Sequence, residues 1–113
     1  MEQTESRKLE AAKAFDVAAL VNYAEGSVVS RTIAQNDAGT VTVFAFDAGQ
    51  GLSEHSAPYD ALVQVIDGQG TFVIGGSGVV LRQGQLVIMP ANVPHAVLAD
   101  QKFKMILTML RSK

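Results

Sequence analysis

Cysteine is missing from the chain, and its absence removes disulfides, thiolate metal ligands and thiol nucleophiles together. No run of like charge occurs and the formal net charge is only -2. The few Lys and Arg residues are scattered, so no basic stripe is available to neutralise phosphates and nucleic acid is not an expected partner. No apolar stretch is long enough to cross a bilayer. The opening Met1-Glu2-Gln3-Thr4-Glu5 leads into no basic start, apolar stretch and small-residue cleavage site. The expected setting is therefore the cytoplasm, with no membrane attachment. Histidine is scarce too, with only two in the chain, His55 and His95.

What is present is a chain of 113 residues, 48% hydrophobic and 18% charged, which suffices for one core and is too short for two. Leu9, Ala12, Phe15, Ala19 and Leu20 recur at roughly helical spacing, and Asp16 is placed to cap "DVAALV" by accepting a backbone N–H. A short helical segment is expected over residues 1–26, acting as a lid or edge cover, with a β domain over 27–113. From Ser27 onward the period changes to that of strands. "SVVSRTIAQ", "TVTVFAF", "ALVQVID", "TFVIGG", "GVVLRQ", "QLVIMP", "HAVLAD" and "FKMILTML" are short, β-branched segments parted by Gly, Asn-Asp or Pro. Links this short force antiparallel neighbours. "IDGQGTF" and "IGGSGVV" read as tight hairpin turns. The expected fold class is all-β, a jelly roll or barrel that limits exposed edges, with every second residue inside.

Pro90 and Pro94 bracket "PANVPH", each removing a backbone donor and extending the residue before it, so that His95 is presented at the start of a strand. Like His55 in "SEHSAPYDA", it stands at a strand end beside a constrained turn. These residues resemble the cupins, small β-barrels marked by two motifs, and in particular the widespread small single-domain (RmlC-like) bacterial cupins of mostly unassigned role. The first motif, Gly-x5-His-x-His-x3-Glu-x6-Gly, is framed here by Gly49, His55, Ala57, Ala61 and Gly68. The second, Gly-x5-Pro-x-Gly-x2-His-x3-Asn, is framed by Gly84, Pro90, Asn92, His95 and Ala99.

The resemblance implies a double-stranded β-helix and, as in many relatives, a homodimer. In metal-binding cupins the motif histidines and acid hold one divalent ion; this chain keeps His55 and His95 but carries Ala57 and Ala61 at the other two ligand positions. Two imidazoles alone leave an ion such as Zn, Ni, Fe or Mn mostly hydrated. Glu54 would need a bulge to turn inward. Tyr59 and Asp60 lie in the turn. Two alanines in place of bulky ligands open space walled by the same-parity Val63, Phe46, Met89, Val97 and Met105. Such a greasy cavity with two convergent imidazoles fits a small organic ligand, so those residues, with His55, His95, Ala57 and Ala61, form the candidate binding site. Two other readings stay open: a metal-dependent enzyme of dioxygenase or isomerase type with an incomplete two-His site, and a structural or regulatory module with a vestigial pocket.

Overall fold

Eight strands run through residues 9–111, the part of the chain described by the structure, a computed structural model. They are β1 Val28–Asn36, β2 Gly39–Phe46, β3 Gly51–His55, β4 Asp60–Ile74, β5 Ser77–Arg82, β6 Leu86–Met89, β7 His95–Leu98 and β8 Phe103–Leu110. Every pairing is antiparallel, as the short links require. The strands form two facing leaves that share β4. Its first half pairs with β6 and β8, and β8 continues through β2 to β1. Its second half pairs with β5 and β7, and β7 continues to β3. The result is the jelly-roll barrel read from the sequence.

The count of eight matches the expectation, but the strands differ in two places. "IDGQGTF" is not a hairpin turn: the chain runs straight through it as the middle of β4, with a register irregularity between Val65 and Asp67. One extra residue there reverses the side-chain parity. Ala61, Val63 and Val65 are buried before the bulge and Gly70 and Phe72 after it, so β4 presents an apolar face to the interior in both leaves. Gly70 is small for a packing reason, since a Cβ there would meet the Phe103 ring at 2.5 Å. The second difference is β3, a strand in its own right that is absent from the eight segments read from the sequence. "IGGSGVV" is a two-residue hairpin as expected. Gly75 and Gly76 have φ of 58° and 86°, the positive pair that a type I′ turn demands.

The barrel floor is aromatic. Phe103 stacks on Phe46 at 4.7 Å between centroids and meets Phe72 edge-on at 5.9 Å, geometries favoured by ring quadrupoles. Around them Val63, Val65, Val97 and Met105 are fully buried.

The helical segment expected over residues 1–26 is corrected: among the described residues it is a single 3-10 turn, Val17–Leu20, and Asp16 makes no side-chain cap. The part of that expectation on residues 1–8 lies outside the described residues. Here tertiary packing overrides the helical pattern. Val17, Leu20, Val21 and Tyr23 spread over the outer face of the first leaf against Val43, Ala45 and Ile106, covering a face instead of an edge. Two polar clips hold the segment. Lys104 Nζ donates to the Ala18 carbonyl at 2.6 Å and lies 4.9 Å above the Tyr23 ring. Tyr23 donates its hydroxyl to Asp67 at 2.6 Å. Burial and that carboxylate push the Tyr23 phenol well above its ordinary range.

Candidate functional site

His55 reaches the barrel mouth through a bulge. β3 pairs Leu52 with Val97 and His55 with His95, so three steps on β3 match two on β7. On a regular strand residues three apart face opposite ways. The extra residue puts Leu52, which packs on the core, and His55, which meets His95, on the same side. Glu54 gains nothing from this bulge and stays exposed. His95 lies between His55 and Ile74 in register and is 6% exposed, whereas His55 is open to solvent.

The two imidazoles stand 4.5 Å apart between centroids at 69°. Each is oriented in the same way: Nδ1 of His55 bonds the Ser53 carbonyl at 2.8 Å, and Nδ1 of His95 bonds the Val93 carbonyl at 3.1 Å. A carbonyl oxygen only accepts, so both Nδ1 atoms carry the proton and, in the neutral rings, both Nε2 atoms keep a lone pair.

Two turns hold this pair in place, 56–59 after β3 and 90–94 before β7. The backbone N–H of Asn92 donates to the Ala57 carbonyl at 2.7 Å. The N–H of Ala91 donates to Asp60 Oδ1 at 2.9 Å. Asp60, at the end of one turn, thus ties the neighbouring turn to it. Asn92 has φ of 67°, the left-handed conformation that explains a glycine in the second motif and that asparagine tolerates.

The first leaf faces this pair with another row. Ala61 lies in register between Met89 of β6 and Met109 of β8. Ala61 and Met89 are buried, and Met109 packs against the same cluster. Of the sequence-read site residues, His55 and His95 pair at the mouth, the Ala57 carbonyl bonds the turn before His95, and Ala61 and Met89 are register partners on the first leaf. Phe46, Val63, Val97 and Met105 lie beneath the mouth and are 0–1% exposed, so not even a water-sized space touches Phe46 or Val63. They form a closed floor. Beside the mouth, a rim cleft of about 190 Å³ runs between the β1–β2 hairpin and the end of β8, lined by Thr40, Val41, Met109 and Leu110 among others.

Thr40 and Thr42 escaped the sequence reading, and Met109 read there only as a core filler. Thr40 and Thr42 share the parity of the interior Phe44 and Phe46, which was the available signal, and Thr42 Oγ1 lies 3.2 Å from Thr32 Oγ1. Met109 becomes a mouth residue only through its pairing with Ala61.

A divalent cation of the kind held by metal-binding cupins does not fit this residue set. Two imidazoles are adjacent, but Ala57 and Ala61 offer no donor and Asp60 is engaged by Ala91. Among the described residues no three His, Asp or Glu side chains converge. No helix among them is long and apolar enough to cross a membrane.

The cupin domain family model matches residues 42–110. Among solved structures, a conserved Streptococcus pyogenes protein of unknown function is 32% identical with a TM-score of 0.90, over 98% of this chain and 97% of that one. A Leptotrichia buccalis cupin 2 conserved barrel domain protein is 37% identical with a TM-score of 0.83, over 86% of this chain but only 47% of its own. A cupin superfamily protein from Desulfitobacterium hafniense is 25% identical with a TM-score of 0.88, over 94% and 98%. No curated protein matches the chain. The motif frame, the two-leaf barrel and the matched 42–110 segment agree, and the chain belongs to the cupin family.

Proposed function

We propose that this cupin binds a small organic molecule at the barrel mouth, in the cytoplasm, with His55 and His95 gripping its polar end. The observation that carries this reading is the pair of Nε2 atoms left free by the two Nδ1–carbonyl bonds. Neutral, they accept hydrogen bonds from a hydroxyl, enol or carboxylic acid; protonated, they donate to a carboxylate. Met89 and Met109, which flank Ala61 in register, supply an adaptable apolar contact. The closed floor limits the ligand to a short body, and the rim cleft of about 190 Å³ lies below the roughly 300–1,000 Å³ usual for drug-sized ligands. The metal-dependent oxygenase or isomerase reading draws no support from a site with two donors.

A thermal-shift screen of small carboxylates, hydroxy acids and phenols tests the proposal. A true ligand at about 100 times its Kd stabilises the fold by about 2.7 kcal/mol and raises the midpoint accordingly. That rise should vanish in His55→Ala, whose unliganded midpoint is measured first and, with the side chain exposed, should match that of the parent chain. Ligands that stabilise His55→Ala and His95→Asn as much as the parent chain would defeat the reading.

A further inference from the structure

Charges of both signs line one cleft at the end of the barrel away from the histidines. β2 runs from Gly39, in register with Leu110, to Phe46, in register with Phe103. Asp47 follows the first of these phenylalanines and Lys102 precedes the second. Between them and residues 23–25 lies a space of about 310 Å³, lined by Tyr23, Ala24, Glu25, Asp47 and Lys102. It reaches the roughly 300–1,000 Å³ usual for small-molecule sites.

The two facing charges are anchored separately. The Ser27 N–H donates to the Ala24 carbonyl at 3.0 Å, closing a turn whose Gly26 N–H donates to Asp47 Oδ2 at 2.6 Å. The Asp47 N–H returns a bond to the Ser27 carbonyl at 3.1 Å. The N–H groups of Gly26 and Ala48 and, after them, the charge of Lys102 hold the Asp47 carboxyl below the usual carboxylate range. Across the cleft, the Tyr23 ring is pinned by Asp67 and Lys104, and Lys102 Nζ lies 5.4 Å from its centre, a cation–π contact. Lys102 leans on that ring and does not close on Asp47: the one ion pair among the described residues is Lys13 with Glu10.

Opposite charges held apart in this way are both satisfied by a body that carries the two signs in reverse. A simple anion would meet Asp47 and Glu25 as like charges, and a simple cation would meet Lys102. We propose that this cleft binds a small zwitterion of the free amino-acid type, its ammonium on Asp47, its carboxylate on Lys102 and its apolar part along Tyr23. The site goes beyond the mouth ligand and does not depend on it.

Titration of the full chain with glycine and larger free amino acids, followed by NMR shifts of the Tyr23 ring, tests it. N-acetyl derivatives, which lack the ammonium, and amides, which lack the carboxylate, are run beside them. At least one free amino acid should saturate the Tyr23 shift below about 10 mM. Its derivatives should bind about fivefold more weakly, the upper range for an ion pair open to solvent. Lys102→Met and Asp47→Asn should each cost a similar factor. Lys102 is exposed and asparagine keeps an oxygen for the Gly26 N–H, so both variants should fold, which their unfolding midpoints check. His55→Ala should leave the affinity unchanged. No saturable shift with any free amino acid, derivatives that bind as tightly, or unchanged affinity in either Lys102→Met or Asp47→Asn would overturn the proposal, as would a loss in His55→Ala, which would place the zwitterion at the mouth. If the mouth ligand fails while the Tyr23 titration holds, only the organic-ligand reading falls.

Discussion

Replacing Ala57 by His and Ala61 by Glu is expected to make the chain hold about one equivalent of Zn²⁺ or Mn²⁺ through dialysis, more than the parent chain retains. His55 and His95 already stand side by side, 4.5 Å apart between centroids, with each Nδ1 on a backbone carbonyl and each Nε2 left without one. The two substitutions add the donors that three- and four-ligand sites require. The cost falls at position 61, which is 5% exposed between Met89 and Met109. A larger side chain in a packed row costs about 1–3 kcal/mol, softened by the adaptability of methionine. An ion at about 1,000 times its Kd returns about 4.1 kcal/mol. The double variant should therefore melt below the parent in chelator and above it in excess Zn²⁺. A midpoint that ignores the ion would show that the imidazoles are not placed to share one.

Phe103→Ala should be the most destabilising single truncation in the barrel. The ring contacts Phe46 and Phe72 and fills the space that Gly70 leaves by lacking a Cβ. Phe→Ala in a core costs about 3–5 kcal/mol, a large share of a total near 5–15 kcal/mol. At roughly 4 °C or more per kcal/mol for a domain of this size, the melting point should fall by on the order of 15 °C. Because floor and mouth are separate layers, the variant, kept cold enough to stay folded, should retain His55-dependent ligand binding. Urea unfolding measures the first effect and the thermal-shift hit the second. A loss under about 1 kcal/mol would contradict the packing account.

The alternation that produced strands in the sequence was legible because one face of each strand is buried. What misled was glycine. In "IDGQGTF" the composition reads as a turn, yet Gly70 is small to admit the Phe103 ring and Gly68, with φ of 73°, sits just past the bulge that switches β4 between leaves. Local composition cannot distinguish a glycine that turns the chain from one that makes room for a distant ring. The apolar spacing of Val17, Leu20 and Val21 was real, but it serves to cover a sheet face and not to build a helix. At the mouth, the motif frame located His55 and His95 correctly as a pair. Met109 was illegible because its neighbourhood with Ala61 is a matter of register between strands far apart in sequence. The depth of the floor was equally hidden, since parity places Val63 and Phe46 inside without saying whether the inside is filled.

The account rests on two adjacent imidazoles, each held by Nδ1 on a backbone carbonyl so that its Nε2 is left bare. Long-range ¹H–¹⁵N correlation of the histidine side chains, recorded where the rings are neutral, reads this directly. It should show the proton on Nδ1 of both His55 and His95, with both Nε2 resonances moving when a ligand binds. A proton on Nε2 of either ring would contradict it, because that ring would then have no lone pair to offer the mouth.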